Sequence, residues 1–202
     1  MLDGKARNLI DPFLMAIAER LKSVGAKPDQ VTISGFVIGL ISAGFIAVGW
    51  YWAGLVLLLV SRLADGLDGS LAKITRSTDF GGYLDIVLDF AFYGVIPLAF
   101  IIADPMQNAL AGAVLLLSFY VNGASFLAFA TLAEKRGLST SARGTKSLYF
   151  TTGLAEATET LAVFVLSCLF PAWFPVLAWV FAAICFYTAL SRIMLASSTF
   201  SE

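Results

Sequence analysis

Four aspartates stand in two pairs inside segments apolar enough to cross a bilayer: Asp65 and Asp68 in DGLDGSLAK, Asp85 and Asp89 in GGYLDIVLDF. On insertion scales a carboxylate at a helix centre costs about 3 kcal/mol, so four would cost roughly 12 kcal/mol without a compensating cation. A pair of divalent metal ions supplies that charge. Asp65 and Asp68 are spaced i,i+3 and Asp85 and Asp89 i,i+4, which puts each pair on one face of its helix. Measured from Lys73, Asp68 and Asp65 lie about 7.5 and 12 Å along the axis; measured from Asp79, Asp85 and Asp89 lie about 9 and 15 Å. The two faces meet at matching depth. Gly69, Ala72, Gly81 and Gly82 add small surfaces that let helices or a ligand approach closely. Two cations so held can clamp a diphosphate, absorb the charge of a leaving group and align an incoming hydroxyl. The chain has no histidine, so a histidine general base and zinc hydrolase chemistry are excluded, and proton transfer falls to carboxylates, Lys, Tyr or water.

The elements that hold these residues are membrane helices. Hydrophobic residues make up 59% of the chain and charged residues 13%, far from the balance of a soluble domain. Six stretches are long enough to span, roughly 31–51, 53–73, 79–103, 106–132, 147–170 and 173–195, and all must be helical because hydrocarbon leaves the backbone no other partner within a segment. The expected fold is all-α, a polytopic bundle. Of the 13 Lys and Arg residues, those outside the spans fall on one side: Lys5, Arg7, Arg20, Lys22 and Lys27 in the N-terminal segment, Lys73 and Arg76 after the second span, and Lys135, Arg136, Arg143 and Lys146 after the fourth. The opposite turns, near Tyr51, Asp104 and Pro171, carry none, which places both termini and the mouth of the aspartate site in the cytoplasm of a cell (inner) membrane. Trp50, Tyr51, Trp52 and Trp173 form the aromatic belt of the far interface. Cys168 and Cys185, in apolar spans with no second Cys or His nearby, read as buried small hydrophobes. No basic face suggests a nucleic-acid partner.

The first 30 residues lack the continuous apolar core of a signal peptide. They read as a cytoplasmic helix lying on the membrane, capped by Asp11, with Pro12 in its first turn and Gly25 at its end. Phe13, Leu14, Ile17, Leu21 and Val24 share one face opposite Glu19, Lys22 and Ser23, a pattern that fits an interfacial amphipathic helix or one packed on the cytoplasmic ends of the bundle. With no internal repeat and no linker, residues 1–202 read as one domain, an interfacial segment to residue 30 and a six-helix bundle over 31–195.

Asp65-x-x-Asp68-Gly69-x-x-Ala72-Lys73, followed by Gly81-x-x-x-Asp85-x-x-x-Asp89, resembles the signature of the CDP-alcohol phosphotransferases, integral membrane enzymes of phospholipid synthesis. Two departures stand out: Lys73 replaces the usual Arg, offering a point charge in place of a planar fork, and seven residues rather than eight lead to Gly81. The resemblance implies transfer from a CDP-linked lipid donor, usually CDP-diacylglycerol, to an alcohol, with CMP leaving. It implies that Asp65, Asp68, Asp85 and Asp89 bind two divalent cations and that Asp89, the deepest, accepts the proton of the hydroxyl. It further implies a nucleotide site formed by the turn Pro28-Asp29-Gln30-Val31-Thr32 with Gly69, Ala72, Lys73 and Thr78 or Ser77. On the bare sequence the same turn is a helix start, with Asp29 a candidate cap.

Three further groups bear on the acceptor. Glu156 and Glu159 are i,i+3 within a span, and Glu156, about 15 Å from Lys146, lies at the depth of Arg62, about 16 Å from Lys73. Either Arg62 pairs with one glutamate or the two carboxylates line an acceptor pocket. Arg143, Lys146 and Arg192 gather near the cytoplasmic mouth, as topological charge or as a site for a phosphorylated acceptor. The partners expected are therefore the lipid donor, an alcohol acceptor with or without a phosphate, and membrane lipid; a homodimer is left open. A cation- or proton-coupled transporter is the main alternative, but it predicts carboxylates along a pathway or repeated broken helices, neither of which the sequence has. A hydrolytic or non-catalytic relative that binds the CDP donor is the other.

Overall fold

The computed structural model describes residues 3–137, 155 and 157–200, with side chains from residue 11 onward. Within these the secondary structure is helical: α1 (Asp3–Ser23), α2 (Pro28–Ala47), α3 (Tyr51–Ile74), α4 (Asp79–Ala103), α5 (Pro105–Lys135), α6 (Ala157–Leu169) and, after a 3₁₀ turn at Pro171–Trp173, α7 (Phe174–Phe200). Among the described residues, Pro28–Ala47, Asp79–Ala103, Pro105–Lys135 and Pro171–Phe200 are long and apolar enough to cross a membrane. The protein is an all-helical, polytopic membrane protein. Helix α3 has the length but carries Arg62, Asp65, Asp68 and Lys73, so the residues that could do chemistry are the ones that lower its hydropathy. Of the expected span at 147–170, Ala155 and residues 157–170 are described.

Local chemistry sets the ends. Pro28 opens α2, where its missing N–H costs nothing, and the Lys27 N–H donates to Gln30 Oε1 at 3.1 Å. Gly49, at φ 82°, takes the left-handed conformation that lets α2 turn into α3. Thr78 Oγ1 accepts from the Gly81 N–H at 3.0 Å to start α4, and Asp104 accepts from the Gln107 N–H at 3.1 Å to start α5. Helix α1 corrects one expectation: it is already helical from Asp3, so Asp11 is not its cap and Pro12 lies inside it. A proline ring fits helical φ but removes one intrahelical bond and crowds the carbonyl four residues earlier, so Pro12 lies in this helix at a cost. Leu14 and Ala18 are buried where α1 packs on α3, while Phe13 and Val24 of the same expected face stay exposed.

Helices α2 and α3 share the most extensive contact, with small residues along it. A Cβ at Gly35 would stand 3.0 Å from Ala64 Cβ, one at Gly39 would stand 2.7 Å from the Phe92 ring, and one at Gly54 would stand 2.5 Å from Ile46. Ser42 donates to Gly54 O and Ser61 to Gly35 O, both at 2.7 Å, so the polar groups of this seam are paired. Helix α4 packs on α2, and α5 on both α4 and α7. Phe92, Ile96, Phe100, Phe164 and Phe174 fill the centre, with Phe100 and Phe174 stacked at 4.6 Å. Trp50, Trp52 and Trp173 are exposed at the end that lacks Lys and Arg, whereas Tyr51 stacks on Phe100 at 5.8 Å. Cys168 and Cys185 are buried thiols.

Candidate functional site

Helix α3 brings Asp65 and Asp68, and α4 brings Asp85 and Asp89, onto facing surfaces. Ligand oxygens of Asp65, Asp85 and Asp89 lie within 4.8 Å of one another. Opposed oxygen ligands of a magnesium-sized ion stand about 4 Å apart, so a small closure suits this group to a hard divalent cation. Asp68 is 6% exposed, and its Oδ2 is buried without a hydrogen-bond partner. A carboxylate oxygen only accepts, and an unpaired one away from water is expensive, so this atom too fits a cation. Asp85 joins the two halves of the site, since it belongs to the three-carboxylate group and also stands with Asp68 on the wall of a cavity.

That cavity, about 230 Å³, is framed by the first turns of α2 and α4 and the last turns of α3. Its wall includes Asp29, Thr32, Gly69, Ala72, Lys73 and Thr78, all expected at the nucleotide. Gln30 and Val31 are not on it: Gln30 is turned to the Lys27 N–H, and the helical period carries Val31 away from the face shared by Pro28, Asp29 and Thr32. Pro28, Arg76, Ser77, Gly81 and Gly82 complete the lining. From sequence Arg76 counts only among the positive charges of the turn after the second span. Its signal was its place between the two halves of the motif, three residues beyond Lys73. A Cβ at Gly69 or Gly82 would meet no atom within 4 Å, so these glycines leave room that a side chain would take. Two cations, Lys73 and Arg76, thus face a space bordered on its deep side by carboxylates.

Arg62 joins the carboxylate cluster. Its Nη1 donates to Asp89 Oδ1 at 2.7 Å and lies 3.4 Å from Asp65 Oδ1, while its guanidinium carbon sits 3.7 Å above the Phe92 ring. One turn before Asp65, Arg62 shares its face, and Asp89 arrives from α4 at the same depth. Glu159 is half-buried near the start of α6, and Glu156 lies outside the described residues. Of the three expected acceptor cations, Arg143 and Lys146 also lie outside them. Arg192 Nη1 donates to Asn122 O and Oδ1, each at 3.0 Å, and to Ser125 Oγ at 2.6 Å, tying α7 to α5. It is not among the residues lining the cavity.

With this geometry in view, the likeness to known proteins is informative. The family profile for CDP-alcohol phosphatidyltransferase matches residues 26–191, which include every element of the site. The chain belongs to that family and is a transferase of substituted phosphate groups, acting in phospholipid synthesis. Family membership sets the transporter alternative aside. Inner membrane protein YnjF of Escherichia coli is 49% identical over 193 residues, covering 96% of this chain and 94% of that one. Archaetidylinositol phosphate synthase of Pyrococcus horikoshii is 38% identical over 88 residues, 43% of this chain and 46% of the relative. The fold is that of Mycobacterium tuberculosis phosphatidylinositol phosphate synthase, whose crystal structure with CDP-DAG bound aligns with TM-score 0.70 and 24% identity over 92% of this chain and 94% of that one.

Proposed function

We propose that this protein transfers a phosphatidyl group from CDP-diacylglycerol, or a closely similar CDP-lipid, to an alcohol and releases CMP, in a reaction that needs two divalent cations. The observation that carries this reading is a four-carboxylate face adjoining a cavity that also presents Lys73 and Arg76. A diphosphate requires both: cations on the protein to bind its charge, and carboxylates to hold the metal between. Asp65, Asp68, Asp85 and Asp89 are the ligands. When bound, the metals polarise the diphosphate and offset the negative charge that grows on departing CMP.

The rest is done by the chain. Asp29, Thr32, Gly69, Ala72 and Thr78 wall the nucleotide end, and Lys73 and Arg76 orient the diphosphate by charge-assisted contacts. The acceptor hydroxyl oxygen attacks the lipid-side phosphorus, the bond from that phosphorus to the CMP oxygen breaks, and the hydroxyl proton passes to Asp89. A carboxylate is base enough once the hydroxyl is held beside a cation. The acceptor carries a phosphate in this reading, held by some of Arg143, Lys146 and Arg192; a neutral acceptor would instead be met through its hydroxyls by Glu156 and Glu159. Six segments, α2 to α5, residues 147–170 and α7, span a cell (inner) membrane, α1 lies on its cytoplasmic face, and CMP leaves to the cytoplasm.

Purified protein supplied with CDP-diacylglycerol, Mn²⁺ or Mg²⁺ and a panel of polyols and polyol phosphates tests the proposal through CMP release. Release that depends on one phosphorylated acceptor supports it. Release without any acceptor would identify a hydrolase, and none with any acceptor would remove the proposal.

A further inference from the structure

Four carboxylates already match the charge of two divalent cations, yet a fifth charged group is built into the deep end of the site. Arg62 is 13% exposed at its side chain and bridges two helices, its Nη1 reaching Asp89 on α4 and Asp65 on its own helix α3. Its position is fixed from several sides. The guanidinium carbon stands over the Phe92 ring, 3.7 Å from its centroid, and that ring occupies space left by Gly39, where a Cβ would stand 2.7 Å from it. Ser61 gives its proton to Gly35 O, leaving its oxygen to receive Nη2 at 3.4 Å. The Nε, by contrast, is buried with no partner. An arginine kept only for stability would not leave a buried donor unpaired.

We propose that Arg62 is a positioning residue for the proton acceptor: it holds one oxygen of Asp89 from the deep side, leaving the other oxygen to the cation and the acceptor hydroxyl. The inference rests on the reaction proposed above, but it has a consequence independent of turnover. A fixed guanidinium on Asp65 and Asp89 competes with a divalent cation for the same carboxylates, so it weakens metal binding while it improves catalysis. A merely structural arginine would do the reverse, since its loss would disorder the ligands and weaken the metal.

The test uses the full-length purified protein, with Mn²⁺ binding followed by loss of the free-ion EPR signal and CMP release measured separately. Arg62→Gln is expected to bind Mn²⁺ about tenfold more tightly, because a competing positive charge is gone. Its kcat should fall about a hundredfold, as for a displaced catalytic group, with donor KM nearly unchanged. Arg62→Lys, which keeps the charge without the planar fork, should bind Mn²⁺ like the wild type with a kcat between the two; it preserves the test if the glutamine variant does not fold. Weaker Mn²⁺ binding in Arg62→Gln, or wild-type kcat in either variant, would overturn the proposal. If wild-type protein releases no CMP with any acceptor, the reaction assigned above fails, and the Mn²⁺ titration still decides whether Arg62 competes for the carboxylates.

Discussion

At the scale of single residues the four aspartates are not equivalent. Asp68 has a buried oxygen with no protein partner, so Asp68→Asn should lose metal affinity together with activity; Asp65→Asn should behave alike. Asp89 already has an Arg62 contact at 2.7 Å. Asp89→Asn should therefore retain most donor binding, measured with a labelled CDP-lipid, while turnover falls about a hundredfold to ten-thousandfold, the usual range for a lost general base. Equal and mild losses at all four positions would contradict these roles. Lys73→Ala and Arg76→Ala should each raise donor KM about tenfold to a hundredfold, since a charge-assisted contact to phosphate contributes roughly 1.5 to 3 kcal/mol. The aspartates were legible in the sequence because helical spacing alone puts each pair on one face. Arg62 was not: its depth was readable, but Asp89 and the two glutamates offered carboxylates at similar depth, and only the packing of α3 on its neighbours selects among them. Arg76 was hidden for a different reason, because a cation in a cytoplasmic turn is what the positive-inside rule predicts with no ligand at all.

At the scale of elements, glycine marks two different functions. Gly39 lets the Phe92 ring lie against α2 and α3, so Gly39→Val should lower stability by about 1–3 kcal/mol through overpacking, read as a drop in thermal midpoint. Gly69 faces the cavity with nothing within 4 Å of an added Cβ. Gly69→Val should leave the thermal midpoint nearly unchanged and abolish donor binding; a stability loss with normal donor binding would mean that the cavity is not the donor site. The bounds of α2 to α5 followed from hydropathy to within a few residues, although Asp29, the candidate cap of α2, lies in its first turn. The start of α1 did not, because a proline can lie inside a helix at a cost, and sequence cannot tell that case from a first-turn proline. Nor could Gln30 and Val31 be separated from Asp29 and Thr32 by a motif read as a continuous turn. Once the segment is helical, its period sends them to other faces.

For the whole molecule, charge and apolarity are arranged along one axis. Lys73 and Arg76 stand at the end of the bundle that carries the cavity, and Trp50, Trp52 and Trp173 at the other. In the proposed orientation, with both termini cytoplasmic, a single cysteine at position 76 should react with a membrane-impermeant label only from the cytoplasmic side, and one at position 104 only from outside; the opposite pattern would invert the topology. The proposed chemistry has one requirement, that carboxylates held in an apolar bundle bind divalent cations in order to act on a diphosphate. The most direct measurement is CMP release from CDP-diacylglycerol by the purified protein, with its acceptor, before chelation, after exhaustive chelation and after Mn²⁺ is restored. The prediction is activity, loss of activity and recovery, with no recovery in Asp68→Asn at the Mn²⁺ concentration that restores the wild type. Undiminished CMP release from the chelated wild-type protein would contradict it.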